Sequence, residues 1–194
     1  MPVMSFLVFA FVTSFTPGPN NILSMVFANQ YGFKKTIRFC IGVGTGFFAI
    51  ILLSCYFNLL LKNFIPKIEW VMTIIGTAYM LYLAFKIITS QNSNKNQGGG
   101  KNNNLFTGVL LQFVNPKGIL FGITVTSTFI IPYYTSSFSF IFFALFLGLV
   151  GFAATSSWCA FGTLFQKFLS KYRKPFNVVM ALLLVYSAYS ILME

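Results

Sequence analysis

The chain has 194 residues, of which 57% are hydrophobic, 19% aromatic and only 8% charged, and its mean hydropathy is +0.79. A soluble domain would have to hide too much apolar surface, so the composition describes a chain built to face lipid. The net charge of +11 arises from Lys and Arg beside apolar runs and not from a basic, aromatic-interleaved stripe, which excludes nucleic acid as a partner.

Apolar runs of spanning length, about 20 residues each, fall at 3–29, 37–61, 68–88, 107–131, 138–164 and 176–193. The expected fold is therefore all-α, a polytopic membrane protein with six transmembrane helices. The first run lacks a basic lead and a small-residue cleavage site, so it is expected to be a retained helix rather than a signal peptide. Inside it stands the segment FTPGPNN, residues 15–21. A proline within a helix removes one amide and clashes with the carbonyl four residues back, so Pro17 and Pro19 are expected to free the carbonyls of Thr13 and Phe15. With Gly18 between them they form a hinge, and the helix is expected to restart at Asn20 or Asn21 acting as N-cap. An outer half-helix then ends in carbonyls, which favour an ammonium, and an inner one begins in amides, which favour a carboxylate. The alternative is a structural kink satisfied by neighbouring helices.

In the second run, Gly42 and Gly46 form a GxxxG pair that predicts close helix packing, and GVGTG at 42–46 is no phosphate loop because no strand precedes it. Cys40, Cys55 and Cys159 lie in apolar runs without C-x-x-C spacing, so neither a metal site nor a disulfide nor any cofactor is expected. Tyr79, Tyr82, Tyr186 and Tyr189 fit an aromatic belt. Residues 89–106 open with the polar tract TSQNSNKNQGGGKNNN and read as a flexible cytoplasmic linker between two three-helix halves, 1–88 and 107–194.

The fourth run carries a second break, FVNPKG at 113–118. Asn115 before Pro116 resembles an N-cap followed by proline at the first helical position, and Pro116 is expected to leave the carbonyl of Gln112 without its usual partner. Lys117 lies ten residues from Thr107 and fourteen from Ile131, roughly 15 Å or more from either end of the run, too far to snorkel out. A cation at that depth costs on the order of 2.5 to 3.5 kcal/mol, and the start of a helix disfavours it further. Either an anionic substrate supplies the missing charge or carbonyls and asparagines hold the lysine as a structural post. Gly118 completes the hinge and pairs with Gly122 as a second GxxxG packing motif.

The two breaks are spaced like halves of one site: Pro19 and Pro116 are 97 residues apart, half the chain. Lys34, Lys35, Arg38, Lys86, Lys95, Lys101, Lys167, Lys171, Arg173 and Lys174 flank the first, third and fifth loops, against Lys62 and Lys67 on the other side. The positive-inside rule then places both termini outside. Three helices per half force the halves into opposite orientations, an inverted repeat. The match of YLAFKI at 82–87 with YSAYSI at 186–191 falls where that repeat predicts it.

FTPGPNNIL, the basic GFKKTIR at 32–38, and QFVNPKGILFG at 112–122 resemble the lysine exporter and homoserine/threonine exporter superfamily, and the resemblance covers nearly the whole chain. It implies multi-pass residence in the plasma (inner) membrane and efflux of amino acids, with the signatures on Pro17, Gly18, Pro19 and Asn20 and on Asn115, Pro116 and Lys117. STF at 127–129 with Pro132, and ALLLVYSA at 181–188, extend the likeness towards members exporting cysteine and O-acetylserine. Homoserine, threonine or lysine-type substrates are the alternative within the family. The expected partners are a small amino acid and the lipid bilayer, with self-association left open. Asn20, Asn21, Gln112, Asn115 and Lys117 are the candidate substrate-binding residues, with no catalytic role and no bound metal. Two other classes make different demands: a membrane thiol-redox protein predicts cysteines beside the breaks, and a cation exporter predicts buried carboxylate or His ligands. The sequence offers neither.

Overall fold

A computed structural model describes residues 1–89, 103–165 and 172–193. The described chain is all-helical: α1 (Val3–Phe15), α2 (Pro19–Tyr31), α3 (Phe33–Tyr56), α4 (Asn58–Thr89), α5 (Leu105–Val114), α6 (Pro116–Val125) continued by a π-turn at Thr126–Ile130, α7 (Ser137–Leu164) and α8 (Arg173–Met193). α3 and α7 are each long and apolar enough to cross a membrane, and α5 with α6 and the π-turn makes a third such element, bent by 69° at Asn115. Large apolar side chains remain exposed along the outside, among them Val8, Phe85, Phe142, Leu149 and Leu182, as a lipid-facing surface requires.

Both proline segments break their helices as expected, but the helix bounds shift elsewhere. α3 ends at Tyr56 and α4 begins at Asn58, so the predicted loop carrying Lys62 and Lys67 is instead part of a helix starting ten residues early. The likewise short α2–α3 junction is Gly32, whose φ of 83° favours a residue without Cβ. The predicted linker falls largely outside the described residues, as do Lys95, Lys101, Lys167, Lys171 and Glu194. Its end is anchored: Asn104 caps α5 by accepting from the Thr107 amide, and buried Asn103 donates to Thr36 Oγ1 at 3.2 Å.

The tightest helix pairs join elements from opposite halves of the chain, α3 with α5 and α7, α2 with α7, and α4 with α8. Glycine sets these distances. Gly42 packs on the Leu105 carbonyl, Gly108 on that of Phe39, and Gly162 on that of Met25, while a Cβ at Gly46 would lie 2.9 Å from Val109 O. Gly122 meets Ile50 of α3, but Gly118 faces the Gln112 side chain next to its own break and spaces no neighbouring helix. A reciprocal contact holds α3 to α7: a Cβ on Gly44 would meet Phe152 Cβ at 2.8 Å, and one on Gly148 would meet Phe48 Cβ at 3.1 Å.

Two apolar clusters flank the breaks. One gathers Ile22, Phe39, Val43, Leu83 and Leu184, and the other Phe6, Phe47, Ile51, Phe121 and Leu147. Because the Leu105 carbonyl occupies the place of a side chain at Gly42, Gly42→Val should destabilise the protein by at least about 1–3 kcal/mol. Denaturant titration in detergent measures this, with exposed Leu182→Ala expected to change little.

Candidate functional site

The first break exposes a run of main-chain carbonyls, and the structure gives each of them a donor. Thr16 N donates to Val12 O at 3.1 Å and Thr16 Oγ1 to Thr13 O at 2.8 Å. Asn21 Nδ2 donates to both Ser14 O and Thr16 O at 2.8 and 2.9 Å, and the Trp158 indole N–H reaches Phe15 O at 3.1 Å. The carbonyls of Thr13 and Phe15 are therefore occupied, contrary to the expectation that they stand free. A hydroxyl three residues on takes one, and an indole from α7 takes the other.

The helix restarts at Pro19, not at an asparagine. Gly18 is the N-cap residue, and proline sits at the first helical position, where its missing amide costs nothing. Asn20 and Asn21 thus occupy the second and third positions of α2. Asn21 acts as a clamp: both its amide hydrogens are spent on the break, and its Oδ1 lies 3.4 Å from Thr155 Oγ1 of α7.

The second break repeats the pattern, with Asn115 as N-cap and Pro116 at the first position of α6. Here too the expected orphan is absent, because Asn115 N folds back onto Gln112 O at 3.3 Å. The Gln112 side chain joins the two breaks. Its Nε2 donates to Val43 O at 3.3 Å, and its Oε1 accepts from Asn20 Nδ2 at 2.8 Å and Asn115 Nδ2 at 3.4 Å. Asn115 Oδ1 is buried without a hydrogen-bond partner, as is Ser14 Oγ.

Lys117, half-buried, reaches across to the other break. Its Nζ lies 2.8 Å from Thr16 Oγ1, 3.0 Å from Pro17 O and 3.3 Å from Thr16 O. The start of α6 disfavours the cation, but the carbonyl end of α1 favours it, so the lysine is placed where the second field offsets the first. Gly18 makes room for this crossing, since a Cβ there would sit 3.1 Å from Lys117 Cδ and 3.2 Å from Nζ.

A pocket enclosing ≈ 440 Å³ of atom-free space, its open mouth included, lies between the breaks at the seam of the two apolar clusters. All five candidate binding residues, Asn20, Asn21, Gln112, Asn115 and Lys117, line it, together with the hinge residues Gly18, Pro19 and Gly118. Its walls also include Ser14, Val43, Phe47, Phe121 and Thr155, which sequence reasoning missed. Lys117 brings the pocket its charge, and none of the lining residues is acidic. Cys40, Cys55 and Cys159 are buried and free, and none of them lines the pocket.

A helical, lipid-facing bundle with a polar pocket at two facing helix breaks defines a membrane translocator. The chain belongs to the LysE type translocator family, whose model matches residues 11–194. It is 37% identical over 188 residues to the cysteine/O-acetylserine efflux protein of Salmonella typhimurium strain LT2, covering 97% of this chain and 96% of that protein. To the protein of the same description from Escherichia coli strain K12 it is 36% identical, covering 95% and 94%. No solved structure matches the chain.

Asn21 is the donor to Ser14 O and shares Thr16 O with Lys117, so Asn21→Leu, which strands one carbonyl and weakens the hold on a second, should cost more than the about 1–3 kcal/mol expected of Trp158→Phe, which strands one. Unfolding of the purified variants in detergent tests the ranking, and equal losses would refute the clamp.

Proposed function

We propose that this protein exports small neutral amino acids, cysteine and O-acetylserine foremost, across the inner membrane by alternating access. The observation that carries the reading is a pocket at the two breaks that holds a lysine and no acid. Such a site suits a carboxylate-bearing zwitterion and opposes lysine-type substrates, and the relatives' descriptions name the same two compounds. Lys117 and the first-turn amides of α2 and α6 hold the carboxylate, while Asn20, Asn115, Gln112 and nearby carbonyl oxygens face the ammonium. Asn21 supports the site by fixing the shape of the first break.

In this reading the six spans are α1 with α2, α3, α4, α5 with α6, α7, and α8. They form two inverted halves, 1–88 and 107–194, with both termini outside and the 89–106 linker inside. The pairing of Pro19 with Pro116 as first helical residues supports it, as does the reciprocal contact of Gly44 and Phe48 with Gly148 and Phe152. Those two pairs share the 104-residue spacing of Tyr82 and Tyr186.

Lys117→Ala should reduce efflux of cysteine and O-acetylserine from loaded cells by roughly tenfold or more, the worth of a charge-assisted hydrogen bond. The measurement is export rate at matched membrane abundance. An unchanged rate would show that Lys117 does not serve the substrate.

A further inference from the structure

The three oxygens around Lys117 Nζ form a site in their own right. Thr16 Oγ1, Pro17 O and Thr16 O, at 2.8, 3.0 and 3.3 Å, come from the residue pair that follows the last turn of α1. An ammonium has three hydrogens to donate, and a carbonyl helix end adds a favourable field, so this cradle matches a primary ammonium in both hydrogen bonding and charge. The cation filling it belongs to the other half of the chain. It stands on a long side chain at the edge of the pocket, beside Gly18, which carries no side chain to pin it. Gly18 and Lys117 line the pocket and the cradle adjoins both, so it lies within reach of a molecule held there.

We propose that Lys117 is a tethered stand-in for the substrate's own ammonium. When a zwitterionic amino acid enters, its α-ammonium takes the Thr16–Pro17 cradle, and the displaced Lys117 pairs with its carboxylate. This assigns the ammonium subsite within the exporter reading, on which it rests. The exchange adds no net charge: one ammonium replaces another on the same oxygens, and the lysine trades three neutral acceptors for an anion. A carboxylate without an ammonium would satisfy the lysine but leave Pro17 O without a donor. An amine without a carboxylate would strand Lys117 beside a second cation. Only a molecule carrying both groups completes the swap, so selection for zwitterions needs no acidic side chain.

The same exchange couples binding to movement. In the substrate-free arrangement Lys117 ties α6 to the end of α1. The swap replaces that direct tie by one through the substrate, so the two helix ends are held together differently with and without cargo.

The test uses the full-length protein in liposomes with three probes that share a thiol: L-cysteine, cysteamine, which lacks the carboxylate, and 3-mercaptopropionate, which lacks the ammonium. Wild-type protein should carry cysteine at least roughly tenfold faster than either analogue, since each forfeits a charge-assisted contact. In Lys117→Met the cradle is vacated, so cysteine transport should fall and cysteamine transport rise above the wild-type rate. Adding Thr16→Val should reverse that gain. Gly18→Ala keeps the lysine but crowds it, and should give a smaller rise in cysteamine transport. That variant keeps the test open if Lys117→Met does not fold. If wild type carries cysteine but neither variant gains cysteamine transport, the cradle is no substrate subsite and Lys117 is a structural post. Wild type that carries no cysteine would instead refute the exporter reading, a different failure.

Discussion

A carbonyl that leaves a helix in a lipid environment must find a donor from the protein, because no water is there to supply one. The break between α1 and α2 creates this demand for several residues in succession, and much of the molecule is arranged to meet it. Donors come from Thr16 itself, from Asn21 on α2, from Trp158 on α7 and from Lys117 on α6. The two halves of the interrupted helix are thereby fixed to each other and to α6 and α7. The glycine contacts serve the same assembly by letting α2 approach α7, and α3 approach α5, backbone to backbone.

The electrostatics of the pocket come from the same source. Each break presents two helix ends, and the two breaks lie together so that the carbonyl end of α1 faces the amide end of α6. Lys117 spans that gap, and the Gln112 amide ties both N-terminal asparagines to the α3 main chain. A site assembled from opposed helix ends and one cation carries a dipole and no acidic group. The cargo it fits best carries the complementary dipole.

The sequence made the breaks legible because proline acts locally: its ring clash and missing amide operate whatever surrounds them. Glycine spacing was legible for a similar reason at Gly42, Gly46 and Gly122. Gly118 kept the spacing but lost the partner helix when the 69° bend turned it towards Gln112. The restart at Pro19 was missed because two local rules compete there, an asparagine cap against a proline in the first turn, and the proline takes the position. The fates of the freed carbonyls could not be read at all. The indole that takes Phe15 O lies 143 residues further on, and only the packing of α2 on α7 brings it there. The beginning of α4 was hidden by charges and a proline that resemble a loop. Of the pocket walls, Phe47 and Phe121 read as ordinary core residues, since lipid-facing and cavity-facing aromatics share one composition.

Trp158 also sets an order of events. A ribosome adding about 5 to 20 residues per second needs roughly 7 to 30 seconds to make the 143 residues between Phe15 and its indole partner. Throughout that interval α1 ends in a carbonyl whose donor does not yet exist, and Lys117, which serves Thr16 and Pro17, is itself made about seven-tenths of the way through. The amino-terminal half therefore cannot reach its final form alone. Its first helix is completed only after Trp158 of α7 has been made.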